Sequence, residues 1–125
     1  MARVERLICA AAEVHDAGLG VRFRVRPADE YENAFVVRWC GKPFAYLNRC
    51  PHAGTELDWQ PGEFFDLSGL YLACSTHGAL FDPGNGRCVA GPCRGDALQP
   101  LAIRERDGQV FLLQDNPDDG NTTAP

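Results

Sequence analysis

A small antiparallel β-sandwich or barrel is the fold this sequence predicts, and three observations predict it. No stretch carries the apolar spacing of a long amphipathic helix. Short runs with strand-like alternation recur, and Gly- and Pro-rich turns separate them. The chain has 125 residues, enough for one domain with a real core and too few for two.

The elements follow in order. Residues 1–13 predict a first strand and a turn. The apolar run from Leu7 to Ala12 is shorter than the roughly 7–15 residues of a secretory segment, and Glu5 and Glu13 flank it. Gly20 to Arg26 alternates, with Val21, Phe23 and Val25 on one side and Arg22, Arg24 and Arg26 on the other, which predicts a half-buried strand. Asn33 to Cys40 and Pro43 to Asn48 flank Gly41-Lys42 and predict a hairpin, with Phe35, Val37 and Trp39 on one face. Leu70 to Ala73 predicts a short strand, and Ala79 to Phe81 another, ended by the turn Asp82-Pro83-Gly84-Asn85-Gly86. Leu98 to Arg106 and Gln109 to Gln114 surround Asp107-Gly108, a strong hairpin signal. Asn116 to Pro125 is polar and rich in Pro, Gly and Asp, so a domain over residues 1–114 and a disordered tail over 115–125 are expected.

Composition narrows the function. The net charge is -5 and no Lys/Arg block interrupts the chain, which argues against a nucleic-acid partner. No apolar run approaches the ~20 residues that span a bilayer, so the expectation is a cytoplasmic protein with no membrane partner.

The chemistry sits in two motifs. The first is Cys50-Pro51-His52-Ala53-Gly54 and the second is Cys74-Ser75-Thr76-His77-Gly78. Each follows a predicted strand and each ends in a glycine that lets the backbone turn beside an inorganic body. Two thiolates and two imidazoles select zinc or iron–sulfur over hard cations. Two chemistries fit: a tetrahedral structural zinc, or a [2Fe–2S] cluster with two cysteines on one iron and two histidines on the other.

The order Cys50-x-His52 and then Cys74-x-x-His77-Gly78 resembles the Rieske iron–sulfur signature. Asp82-Pro83-x-x-Gly86 and Gly91-Pro92 resemble the same family, whose third, proline-containing loop covers the cluster. The likeness runs from about Arg3 to Gln114. It implies an all-β, Rieske-like antiparallel β-sandwich with a small cluster-binding subdomain over about residues 48–95. It also implies one [2Fe–2S] cluster on Cys50, His52, Cys74 and His77. One departure is the interval of twenty-one residues between His52 and Cys74, longer than the shortest ferredoxins of the family carry; the excess falls in Asp58 to Asp66.

High-potential respiratory members resemble this site but carry Ser and Tyr where this chain has Ala79 and Phe81, and a disulfide where it has Thr55 and Thr76. Hydroxyls at those positions donate to sulfur and favour the reduced cluster. Their absence implies the low end of the Rieske range, about −150 to 0 mV. The resemblance also makes imidazole the outward ligand, so electrons are expected to leave on the histidine side. Pro51, Ala53, Gly54, Thr76, Gly78 and Pro92 are then candidates for a docking rim or for loop shaping alone.

The remaining chemistry-bearing residues read as structural. Cys9 and Cys40 sit in strand-like apolar contexts and are expected to be buried thiols. Cys88 and Cys93 bracket the covering loop and are expected as two thiols rather than a disulfide. Trp59, Phe64 and Phe65 serve either as packing or as a partner patch. His15 is expected at the surface. It is the one histidine left once His52 and His77 are used, so these residues cannot build the two-histidine, one-carboxylate iron site of an oxygenase.

The expectation is a one-electron carrier, not an enzyme, taking electrons from a flavin reductase and passing them to a terminal oxygenase or another reductase. The alternatives are a permanently bound small subunit, similar to that of assimilatory nitrite reductase, and a zinc-stabilised interaction module.

Overall fold

The computed structural model describes residues 3–25, 32–51, 55–58, 60–74, 78–92 and 95–115. His52, Trp59, His77, Cys93 and the tail from 116 lie outside them. The described chain is a set of strands in three antiparallel sheets. Sheet 1 holds β1 (Arg3–Ala10), β10 (Gln109–Asp115) and β9 (Ile103–Arg106), in that order. Sheet 2 holds β2 (Val21–Val25), β3 (Glu32–Trp39), β4 (Lys42–Leu47) and β8 (Pro100–Leu101). Sheet 3 holds β5 (Leu72–Ala73), β6 (Leu80–Phe81) and β7 (Cys88–Ala90). A single 3-10 turn over Ala11–Glu13 follows β1. Among the described residues, no helix is long and apolar enough to cross a membrane.

Sheet 2 is the middle layer, and its sequence shows why. Side chains alternate across a strand, so a run buried at every position needs cover on both faces. Ala34, Phe35, Val36 and Val37 of β3 are all buried. Ala34 and Val36, with Val25, Ala45 and Leu47, pack towards Cys9, Val110 and Leu112 of sheet 1. Phe35, Val37 and Tyr46 pack the other way, against Leu57, Phe64, Leu72, Phe81 and Leu98.

Four local expectations change. The β3–β4 turn is Cys40-Gly41, not Gly41-Lys42; Lys42 is already in β4, opposite Trp39. Cys40 and Gly41 both have positive φ, 53° and 81°, as a two-residue hairpin turn of matching twist demands. Cys40 is therefore exposed at a hairpin tip rather than buried in a strand. Its turn is pinned by the Gly41 N–H donating to Asp16 Oδ1 at 2.9 Å. The expected strand from Leu98 to Arg106 is two strands: β8 pairs with β4 and β9 pairs with β10. The chain changes sheets at Ala102, whose carbonyl accepts from the Leu113 N–H at 2.9 Å. The expected strand from Leu70 is also shorter, since Leu70 and Tyr71 are exposed and β5 begins at Leu72.

Candidate metal centre

The first ligand motif leaves the end of β4. Asn48 and Arg49 lead into Cys50, which is fully buried. The Cys50 N–H donates to the carbonyl of Thr55 at 2.7 Å and closes a tight loop, loop 1. The second motif leaves β5. Cys74 is 1% exposed, and its N–H donates to the carbonyl of Ala79 at 2.8 Å, closing loop 2 at the start of β6. The Gly78 N–H turns back to the Cys74 carbonyl at 2.9 Å, with φ of 72°, a conformation glycine adopts without strain.

The two loops share one form. In each, a cysteine N–H binds the carbonyl five residues ahead, and a histidine falls within the closed segment by sequence. Cys50 and Cys74, remote in the chain, lie in one buried cluster with Leu57, Leu72, Ala79 and Phe81. Of the four expected ligands, the structure thus brings the two cysteines to one region; His52 and His77 lie outside the described residues.

The third loop meets the second. β7 pairs with β6, Leu80 opposite Ala90, and delivers Gly91 against Ala79 at the end of loop 2. A Cβ on Gly91 would lie 2.7 Å from the Ala79 Cα, so the backbones touch there, and Gly91 has φ of 100°. Two buried cysteines, each at the mouth of a closed loop, with a histidine in each loop and a third loop against the second, fit a [2Fe–2S] cluster by donor chemistry. Ala79 and Phe81 are both fully buried, and neither side chain carries a hydroxyl.

A polar knot holds loop 1, and inspection of the sequence missed it. Asn48 and Asp58 are the buried polar residues of the described chain, 4% and 6% exposed. Asn48 Nδ2 donates to Asp58 Oδ1 at 2.9 Å, and Asn48 Oδ1 accepts the Leu57 N–H at 2.8 Å. Asp58 Oδ2 accepts the Gly62 N–H at 2.9 Å and lies 3.3 Å from Arg22 Nε. Arg22 also pairs with Glu56 at 2.6 Å, and Asn33 Nδ2 donates to the same carboxylate. The one signal in the sequence is the alternation that sets Arg22 and Arg24 on one side of the half-buried strand β2. Behind sheet 3, the Tyr46 hydroxyl donates to the Pro83 carbonyl at 2.7 Å and ties the Asp82–Gly86 turn to sheet 2. Burial pushes that phenol well above its ordinary pKa.

The other residues singled out by sequence are structural where described. Phe64 is fully buried and stacks on Phe35 at 3.9 Å between ring centroids. Phe65 packs on the same core. Cys9 is buried, and burial pushes its thiol up to about 11. Cys88 is buried with Sγ 3.2 Å from the Ala90 carbonyl oxygen, while its expected counterpart Cys93 is outside the described residues. His15 is exposed.

Comparison with known proteins agrees with this geometry. A curated relative, the oxidoreductase NdmD of Pseudomonas putida, is 31% identical over 84 residues, 62% of this chain. The chain spans 13% of the length of that relative. The Sphingomonas yanoikuyae B1 ferredoxin superposes with a TM-score of 0.70 at 24% identity, covering 90% of this chain and 100% of that one. A chain from the complex of reduced oxygenase and oxidized ferredoxin in carbazole 1,9a-dioxygenase gives a TM-score of 0.66 at 21% identity, covering 88% and 91%. These structural likenesses establish the all-β fold. The model of the Rieske [2Fe-2S] domain matches residues 6–115, and the chain belongs to that family, whose domain binds one [2Fe–2S] cluster.

Proposed function

We propose that Cys50, His52, Cys74 and His77 hold one [2Fe–2S] cluster and that the chain carries single electrons between redox proteins. The two cysteines would ligate one iron and the two histidines the other. The single observation that carries this reading is that two cysteines, each with its N–H bonded to the carbonyl five residues ahead, fall in one buried cluster. When bound, the cluster supplies a one-electron couple; the chain's own residues bury the thiolates, exclude water and close the backbone around them. The chain is a carrier and not a catalyst.

The donor in this reading is a flavin reductase and the acceptor a terminal oxygenase or another oxidoreductase, in the cytoplasm, with neither nucleic acid nor membrane as partner. The existence of a ferredoxin–oxygenase complex in carbazole 1,9a-dioxygenase supports that choice of acceptor. Residues 1–114 form the domain, with the cluster-binding part over about 48–95. A second reading, a Rieske unit held permanently by a larger oxidoreductase, is favoured by the small share of NdmD that this chain matches, 13%.

Purified without oxygen, the protein is expected to be coloured, with an anisotropic EPR signal when reduced; Cys50→Ser or Cys74→Ser abolishes both. A colourless protein holding one zinc overturns the assignment. Native purification as a stable heteromer favours the second reading.

A further inference from the structure

We propose that Asn48 is a positioning residue for the cluster, because its side chain sets the span of the loop that carries Cys50 and His52. The inference rests on the ligand assignment above. Loops 1 and 2 are closed by the same backbone bond at the cysteine but are supported differently beneath it. Loop 2 stands on a strand pair, with Ala73 opposite Leu80 and Leu72 opposite Phe81. Loop 1 has no strand pair under it among the described residues, since β4 ends at Leu47 and Leu57 belongs to no strand. A side-chain amide takes the place of the missing ladder.

Both ends of that amide are used. Nδ2 holds Asp58 at 2.9 Å, Oδ1 holds the Leu57 N–H at 2.8 Å, and the Asn48 main-chain N–H holds the Asn33 carbonyl at 2.9 Å. One residue therefore ties the entry of loop 1 to sheet 2 and to its own exit. The Asp58 side chain is fully buried and its carboxylate is shared among Asn48, Gly62 and Arg22. Removing the amide leaves a buried carboxylate oxygen and a buried N–H unmatched, so the loop must move to rehydrate them. Loop 1 carries one donor for each iron, and metal–ligand distances tolerate only about ±0.2 Å. A shift in its span therefore loosens both irons together.

The test compares the wild-type holoprotein with Asn48→Ala, Asp58→Asn, the exchange Asn48→Asp with Asp58→Asn, and Arg38→Gln. Arg38 sits towards the far end of β3, where it holds the carbonyls of Val14 and Ala11 and pairs with Glu105, so it serves as a control for destabilisation alone. The readouts are the rate of iron loss to a ferrous chelator, the EPR g-values of the reduced protein and the thermal midpoint.

Asn48→Ala should lose iron about 10-fold faster or more, with shifted g-values, in line with residues that orient metal ligands. Asp58→Asn should change both in the same direction. The exchange should restore slow iron loss, because it still sets one amide against one carboxylate and keeps an acceptor for the Leu57 N–H. Arg38→Gln should lower the midpoint and leave iron loss and g-values unchanged. Wild-type iron loss in both Asn48→Ala and Asp58→Asn overturns the proposal, as does equal acceleration in Arg38→Gln. If Asn48→Ala does not fold, Asp58→Asn and the exchange decide it. A wild-type protein with no cluster spectrum overturns the ligand assignment and this inference with it.

Discussion

At the scale of single residues, Ala79 and Phe81 matter for what they lack. Both are fully buried, Ala79 at the close of loop 2 and Phe81 on the strand that leaves it. The respiratory Rieske proteins that this chain resembles have hydroxyls at the matching positions. A hydrogen bond to a charged acceptor contributes about 1.5–3 kcal/mol, and ~1.4 kcal/mol corresponds to ~59 mV for one electron. Restoring one donor should therefore raise the midpoint potential by roughly 60–120 mV, if the bond forms fully with the reduced state only. Phe81→Tyr and Ala79→Ser test this by EPR-monitored redox titration, against a native midpoint expected at about −150 to 0 mV. A native midpoint well above about +150 mV sinks the argument. Ala79→Ser has less room, because the Gly91 backbone lies against it.

At the scale of elements, the candidate site draws on three segments that leave β4, β5 and β7, and Gly91 of the third meets Ala79 of the second backbone on backbone. Gly91→Ala adds a carbon 2.7 Å from the Ala79 Cα at a φ of 100°. The strained dihedral alone costs roughly 1–3 kcal/mol. The third loop must also lift away from loop 2. The expected outcome is a lower thermal midpoint together with faster bleaching of the visible spectrum in air. An unchanged bleaching rate would show that this loop does not protect the site.

At the scale of the molecule, the first and last strands close the domain: β1 pairs with β10 along its length, Arg3 opposite Asp115. Glu5 reaches across β10 to β9, pairing with Arg104 at 3.1 Å and with Arg106 at 2.5 Å. The Arg106 hydrogen bond, with help from the charges of both arginines, holds the Glu5 carboxyl below its ordinary value of 4.5. Because the folded pKa is the lower one, this support is complete above about 4.5 and fades as the pH falls through the folded value. Thermal midpoints should therefore drop more steeply below pH ~4.5 in the wild type than in Glu5→Gln. Salt should shrink the difference, since the pair is at the surface. Parallel curves for the two proteins would count against it.

The sequence by itself determined the β class, most of the hairpins and the paired spacing of two cysteines and two histidines. Those features are local: alternation, turn chemistry and ligand spacing act over a few residues, and covalent geometry alone sets them. Asp107-Gly108 was legible for this reason, with φ values of 53° and 75°. Cys40 was not, because glycine at the second turn position forced the residue before it into the turn despite its apolar setting. The tertiary structure decided what depends on remote partners. The step between sheets at Ala102 follows from which strand each half can pair with. Phe64 is core because Phe35 of β3 and Gly20, just before β2, press on it. The Asn48–Asp58 clamp depends on Arg22 approaching from 34 residues before Glu56, a contact no local pattern encodes. Burial made that polar group into a fastening, since only where water is excluded must every donor find its acceptor.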